Sequence, residues 1–382
     1  MKTVPTKKTH LFGAAFVTAA MSLNTVQSAY AEAAPERGVV AFKYLNYQDW
    51  QPDQDRIGVN AFSIMGMVPI AGEWSISTSY TYDSVSGASP AHHTWMGDAV
   101  SGASGSEETR HAGDLSITRY LSGGSVTAGT SYSSESDYVS RSYSLQGSLS
   151  SEDKNTTLTI GASYTNDTIN PNNNVVEDEK KEIYAGLFGI TRVLSKTDIM
   201  QVNFGLSKGE GYYDDPYKEN DFRPDKRDIK TVMARWNHHF DGTDGTSRLS
   251  YRYYTDSFGI DAHTLGLEYV QPLSKGWTII PSVRLHSQSA ADFYLPVDPS
   301  SPDIAPFPAN PGDFSTSDQR LSAFGALTLG VKVEKQIAED WTFDVKFEHY
   351  EQRADWCVNG DGDPGLEPFN FRSIQVGISR KL

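Results

Sequence analysis

After its first thirty residues the sequence has no apolar run of about 18 residues, so nothing in it can cross a bilayer as a helix. It has one cysteine, Cys357, which rules out an intramolecular disulfide and the cross-linked scaffold of small secreted proteins. There is no concentrated basic patch, and the net charge is −15, so nucleic acid is excluded as a partner. Convincing helical periodicity is lacking too. What the chain has instead is 12% aromatic residues, rich in tyrosine, and 32 glycines, a composition that points to an all-β protein.

Residues 1–31 read as a secretory signal. Lys2, Lys7 and Lys8 form a basic start, an apolar core runs from Leu11 to Leu23, and Ala29-Tyr30-Ala31 fits the small-residue cleavage rule. Its removal takes away three lysines and no acid, moving the net charge from −15 to −18. Residues 32–382 are read as a single exported domain.

From about residue 38 one unit repeats: some ten residues of apolar and polar alternation, a turn signal, and another alternating run. "WSISTSYTY" sets Trp74, Ile76, Thr78, Tyr80 and Tyr82 against serines and Thr81. "LSAFGALTLGVKVEK" sets Leu321, Ala323, Leu327, Leu329, Val331 and Val333 against Ser322, Thr328, Lys332 and Glu334. A period of two with polar partners describes a sheet whose faces meet different media.

The connections alternate in length. Short turns fall at 71–73, 122–124, 151–155, 195–197, 241–245, 274–276 and 338–340; long connections fall at 84–111, 167–181, 209–227, 290–318 and 354–368. Short turns on one rim and long loops on the other describe a transmembrane antiparallel β-barrel, an outer-membrane architecture with an even strand number. The turns predict about 16 strands, 14 to 16 being consistent with the spacing, short periplasmic turns and long external loops. Trp74, Trp277 and Trp341 each directly follow a short turn, which places them as membrane-interface aromatics. A soluble β-sandwich is the structural alternative, but its loops need not sort into two rims.

With the apolar parity toward lipid, the polar parity of the C-terminal half lines the lumen with charge: Arg235, Arg248, Arg252, Glu268, Arg284, Lys332, Glu334, Asp344, Lys346 and Glu348. Such a wall makes either a charge-lined pore or a cross-braced interior that conducts little. Arg119 shares parity with Leu115 and Ile117 and lies near a turn, where its guanidinium can reach the interface.

The stretch "YDSVSGASPAHHT" (82–94) resembles a working site. Asp83, Ser86, Gly87, Ser89 and Pro90 read as a strand-exit motif, in which Asp83 and the serines bond to local backbone groups that have left the ladder. The G-x-S-x-G elbow of a serine hydrolase is absent. His286 and Ser287 are adjacent on a strand and point apart, as do His238 and His239. His92, His93, Asp98, Glu107, Glu108 and His111 lack a regular metal-ligand spacing, and Asp361, Asp363 and Glu367 depart from a calcium loop, reading as an acidic turn. No catalytic residue, metal or cofactor is expected.

"DSVSGASP", "DQRLSAFGALTLGVKVEKQIAEDWTFDVKFEHYEQR" and the closing "IQVGISRKL" resemble a family of uncharacterised bacterial outer-membrane barrel proteins, a domain of unknown function. The resemblance covers nearly the whole mature chain and implies a fold and a location in the Gram-negative outer membrane, with no active-site residues to carry over. The last strand also resembles a C-terminal assembly signal, with Leu382 where the usual aromatic would stand. Expected partners are therefore outer-membrane lipid and the barrel-assembly machinery. The leading functional expectation is a pore for small polar solutes or a secreted product. A non-conducting barrel that anchors or presents its loops to a periplasmic or surface protein is second, and an outer-membrane enzyme third. The proline-rich segment 290–318 either folds into the lumen or stays outside as a recognition surface.

Overall fold

A computed structural model describes residues 33–52, 54–87, 108–218, 220–298, 306–358, 360 and 362–382. The signal segment, Ser89, Pro90, His92, His93, Asp98, Glu107 and Asp361 lie outside the described residues.

Sixteen antiparallel strands close into one barrel in which every strand pairs with its sequence neighbours and the first pairs with the last. They are β1 Val39–Gln51, β2 Gln54–Ile70, β3 Trp74–Gly87, β4 Glu108–Leu121, β5 Gly124–Ser134, β6 Tyr138–Ser150, β7 Thr156–Ile169 and β8 Glu179–Val193. The second half comprises β9 Asp198–Gly211, β10 Lys226–Phe240, β11 Gly245–Asp256, β12 Asp261–Leu273, β13 Trp277–Gln288, β14 Phe324–Gln336, β15 Trp341–Arg353 and β16 Phe369–Lys381.

The two rims differ as the spacing predicts. Seven connections of two to five residues join the strands at one rim, and this turn rim also carries both ends of the sheet, where Leu382 N donates to Gly38 O at 2.8 Å. Ala71-Gly72 and Lys275-Gly276 hold consecutive positive φ values (52° and 70°, 61° and 73°), the backbone that lets a tight hairpin follow the sheet's twist. The opposite, loop rim carries the end of β3 and the start of β4, the connections 170–178 and 212–225 and the described parts of 289–323 and 354–368, but also the tight β1–β2 turn and the short connections 135–137 and 257–260.

Strand registers fix which side chains face out. Phe62, Ile64, Leu145, Ile160, Leu206 and Leu285 stand on the outer face and are 42–68% exposed, an uncovered apolar belt. Trp74, Trp277 and Trp341 open β3, β13 and β15 on that face at the turn rim. Each sits under the basic residue paired with it across the next strand: Arg119 lies 5.2 Å from the Trp74 ring, Lys335 5.0 Å from Trp277 and Arg380 5.3 Å from Trp341. A tyrosine row marks the upper part of the belt, with Tyr80 and Tyr251 hydrogen-bonded to His111 Nδ1 and His263 Nδ1, each at 2.7 Å.

One stretch departs from its reading. The alternation of 321–335 does not begin at Leu321: β14 starts at Phe324, and Leu321 is buried in a loop-rim cluster with Phe258, Ile260 and Ala291. The loop around it is itself folded, so an apolar residue off the strand need not meet lipid.

Candidate functional site

The barrel interior is built from two unlike walls. From β3 to β9 the inward positions are dominated by small hydroxyl-bearing residues and glycine. Ser77 meets Ser116, which meets Gly129, which meets Ser144, which meets Ser163, along one row of register partners. Thr118 and Thr127, Ser142 and Thr165, and Ser150 and Thr157 bond across strands at 2.7–3.1 Å. Sequence reasoning centred on the charged half missed this wall, whose signal is the serine alternation of "YVSRSYSLQGSLS".

The second wall, β10 to β15, carries the charges. All ten candidates, Arg235, Arg248, Arg252, Glu268, Arg284, Lys332, Glu334, Asp344, Lys346 and Glu348, share the inward parity of their strands. Most pair along the wall: Arg248 with Glu268 (3.7 Å), Lys332 with Glu334 (2.6 Å) and Asp344 (3.7 Å), and Lys346 with Glu348 (2.9 Å). Among the described residues, every ion pair between strand residues joins one strand to itself or to its neighbour. The charges thus line the wall; none of these pairs bridges the lumen.

Four arginines gather at mid-height. Arg235 is the register partner of Ser250, Ser250 of Gly266, and Gly266 of Arg284, while Arg248 and Arg252 flank Ser250 on β11. At an interstrand spacing of about 4.8 Å, the Cα atoms of Arg235 and Arg284 stand about 14 Å apart across a floor of serine and glycine. The floor is shallow because Gly266 has no side chain; a Cβ there would lie 2.8 Å from Ser250 Oγ. Arg235, Arg252 and Arg284 are exposed to the lumen, and none of the three has an ion-pair partner among the described residues.

The walls meet at the terminal strands, where the interior is unexpectedly apolar. Leu45, Tyr47, Ile57, Val59 and Ala61 form a buried cluster with Phe371 packed against it. Nearby, Asp83 is fully buried on the inward face of β3, and its Oδ2 accepts from Arg110 Nε at 2.9 Å and Nη2 at 2.7 Å. This corrects the strand-exit reading at Asp83. β3 continues to Gly87, so the backbone there still has its ladder partners, and the carboxylate goes to the arginine directly opposite rather than to loose local groups. Ser86 and Gly87 are the closing residues of that strand.

The loop rim is tied together by buried charge. Asp318, 0% exposed, accepts from Lys218 Nζ at 3.0 Å, Arg223 Nη2 at 2.9 Å and Arg320 Nε at 2.8 Å. Arg223 also pairs with Asp221 at 2.7 Å, and Arg320 with Asp215 at 3.1 Å. Burial works to raise the Asp318 carboxyl, but Arg320, Lys218 and Arg223 together hold it well below the usual carboxylate range. The network fastens 212–225 to the 289–323 connection, whose strand-like contact Phe222 with Ser315 adds two backbone bonds. Tyr217 Oη donates to Asp137 at 2.5 Å and accepts from Asn172 N at 3.0 Å, extending the clasp to two further connections. Tyr294 donates to Asp363, joining 289–323 to 354–368.

This clasp begins inside the wall. Gln288, inward on β13, donates through Nε2 to Arg320 O and Ser322 O, both at 2.9 Å, and Tyr213 lies over the inward Lys181 at 5.5 Å. The described ends of 289–323 therefore pack on the lumen side of the mouth.

The adjacent histidine and serine candidates are not brought together. His286 faces the lumen and bonds to Thr264, whereas Ser287 is on the outer face and donates toward Cys357. His238 points outward to Asp198 and His239 inward to Thr246. No group of metal-ligating side chains occurs among the described residues. Asp363 accepts from Gly365 N within its turn at 2.9 Å besides its bond from Tyr294. Cys357 is half-buried, with Sγ 3.3 Å from Gln288 O, and is less open than a surface thiol.

Comparison with curated proteins finds no match. Among solved structures, a bacterial polysaccharide outer membrane secretin is similar, with a TM-score of 0.53 at 8% identity over 91% of this chain and 98% of that one. CdiB from Acinetobacter baumannii has a TM-score of 0.50 at 9% identity over 88% of this chain and 60% of that one. At such identities the likeness concerns the fold, which is that of bacterial outer-membrane barrels. The profile of a family described as a protein of unknown function, DUF3570, matches residues 11–373, and the chain belongs to that family.

Proposed function

We propose that the protein is exported through its N-terminal signal, inserts into the outer membrane of a Gram-negative bacterium, and lets small polar solutes pass through its lumen. The carrying observation is the interior: no described ion pair between strands spans the lumen, and the inward side chains from β3 to β9 are mostly serine, threonine and glycine, with β8 the most apolar of them through Ile183, Ala185 and Leu187. A barrel of 16 strands is wide enough to leave an aqueous channel when its inward side chains are small. The outer belt supports the membrane reading, with Trp74, Trp277 and Trp341 at one interface and the tyrosine row at the other. Along β3, Trp74 to Tyr82 spans about 26 Å of strand, or about 20 Å of height at a tilt of ~40°, close to the ~25 Å apolar band of such barrels. In this orientation the turn rim is periplasmic and the clasped loops are external.

The clasp favours a second reading, a barrel held shut that presents its loops to a surface partner. Planar-bilayer conductance of the purified protein, beside a variant lacking 290–318, separates the two. Discrete steps in the intact protein, larger in the deletion, support a pore narrowed by its own loop. Silence from both correctly folded proteins would sink the pore and favour the anchoring reading.

A further inference from the structure

We propose that Arg235, Arg248, Arg252 and Arg284 form a carboxylate-binding subsite at mid-lumen, and that the solute is a small polyhydroxylated carboxylate. The inference rests on the pore reading and names the class of molecule it serves. Three observations converge on it.

The first is the charge balance. Among inward basic residues of the strands, Arg110 is matched by Asp83, Lys181 by Asp167, Arg227 by Asp256 and Lys332 and Lys346 by the acids beside them. Arg235, Arg252 and Arg284 have no such acid, and all three fall in one patch; Lys43, inward on β1 and also without an ion pair, lies elsewhere, within the field of Asp344 and Glu334. Three guanidinium groups without a carboxylate around one point leave N–H donors that a carboxylate from outside can take up.

The second is the floor. Ser250 and Gly266 occupy the centre of the patch, so side chains reaching inward from four sides surround a depression rather than a bulky residue. The arginines stem from positions around it, with Arg248 turned to Glu268 at 3.7 Å and Arg252 over the Tyr254 ring at 5.6 Å, and rotation of these long side chains brings forks of N–H donors, suited to a planar carboxylate, over the depression. Glu268, at the lower edge, is held by Arg248, and Thr264 and His286 stand beside Arg252 at the upper edge.

The third is the facing wall. Hydroxyl groups of β3 to β9 both donate and accept, which suits a solute whose remaining groups are alcohols. The described acid on that wall nearest mid-height is Asp114, which accepts from Ser79 Oγ at 2.7 Å and keeps its charge, one carboxylate in a wall of alcohols. An anion held by the arginines thus meets alcohol donors across the channel.

The test uses the whole protein in planar bilayers at ~0.1 M salt, where the screening length is about 10 Å, with gluconate as probe and glucose as its uncharged counterpart. The expected results are a reversal potential favouring chloride over potassium, and block of the chloride current by gluconate but not glucose. Arg235→Gln, Arg252→Gln and Arg284→Gln should each weaken that block roughly ten-fold, the loss of one charge-assisted contact, and the triple variant should abolish it. A Tyr143→Phe control on the outer face should leave it within about two-fold. A cation-selective wild type, or block unchanged in the triple variant, overturns the subsite while leaving the pore intact. If the wild type carries no current, the pore reading has failed, and the subsite is decided by calorimetric titration of gluconate into the detergent-solubilised barrel: binding lost in the triple variant sustains it, and no binding ends it.

Discussion

Replacing Asp318 by asparagine should open the loop rim without unfolding the barrel. The side chain is 0% exposed, and both oxygens accept from cations that are themselves largely shielded: Lys218 is 6% and Arg223 9% exposed, with Arg320 at 41%. The amide would keep the volume but turn an NH2 donor toward other donors and leave two buried cations short of a counter-charge. Removing one member of a buried pair costs about 3–5 kcal/mol. At ~1.4 kcal/mol per ten-fold, that raises the open population of the clasp by roughly two to three and a half orders of magnitude. Hydrogen exchange on the folded barrel should show this as faster exchange in peptides from 212–225 and 306–323, with the strands unchanged. Asp313→Asn is the control, because Asp313 only accepts from Asn310 in an exposed turn. Unchanged protection of both segments in a correctly folded Asp318→Asn protein would refute the claim that this network holds the mouth.

Further outcomes follow from the same geometry. Leu145→Arg, on the outer face, should destabilise the barrel in lipid by about 2–4 kcal/mol, whereas Ser144→Arg, one residue away and inward, should cost far less; equal costs in urea titrations in vesicles would mean the faces are misassigned. Lys335→Ala removes the cation over Trp277 and should cost about 0.5–1 kcal/mol in the same assay, with no change in single-channel conductance, because both groups are outside the lumen. The clasp should also split in acid. Burial raises the Asp137 carboxyl, so the proton it takes up favours the folded state, and its contribution is largest at low pH and is lost as pH rises through the raised value. Asp318 is depressed, so its contribution is present above the ordinary carboxylate value and is lost only as pH falls through its own, well lower, value. Exchange near Tyr217 should therefore slow, and that near Asp318 stay constant, between pH 7 and pH 4; loosening at both would reject these assignments.

The strand plan was readable because lipid and lumen impose opposite chemistry on alternate residues, which writes a period of two into stretches such as "WSISTSYTY". All seven short turns stand where Gly, Ser, Lys and acid clusters interrupt that period. The signal fails where both parities are apolar: in β1, Phe42 faces out while Leu45 and Tyr47 face in, so the interior cluster with Val59 leaves no alternation to read. It fails again where partners are remote. Asp318 and Arg223 are 95 residues apart, and Arg320 and Asp215 are 105 apart, brought together only by two loops meeting over the mouth. Individually the arginines of β10 to β13 were visible as polar-parity residues. Their convergence on Ser250 and Gly266 needed the register, since a shift of two residues in any one strand would scatter them.

An anion subsite inside a chain of net charge −15 looks contradictory, yet charges outside the membrane act weakly on it. The screening length is about 8 Å at physiological salt, shorter than the half-height of a barrel whose apolar band is ~25 Å, so the loops' acidity affects entry more than binding at mid-lumen. What governs the subsite is its nearest acid, Glu268, 3.7 Å from Arg248. That pair is open to water, 38% and 42% exposed, and so is weak, worth about 0.2–1 kcal/mol. Glu268→Gln should therefore release Arg248 to the solute and strengthen gluconate block by up to roughly five-fold, opposite in sign to every arginine variant. A structural role for the patch predicts the reverse, because losing either member of a bracing pair loosens the wall and weakens whatever the wall holds. Block that falls in Glu268→Gln as it does in Arg284→Gln would identify the four arginines as bracing, and the lumen would then have to choose its solute elsewhere.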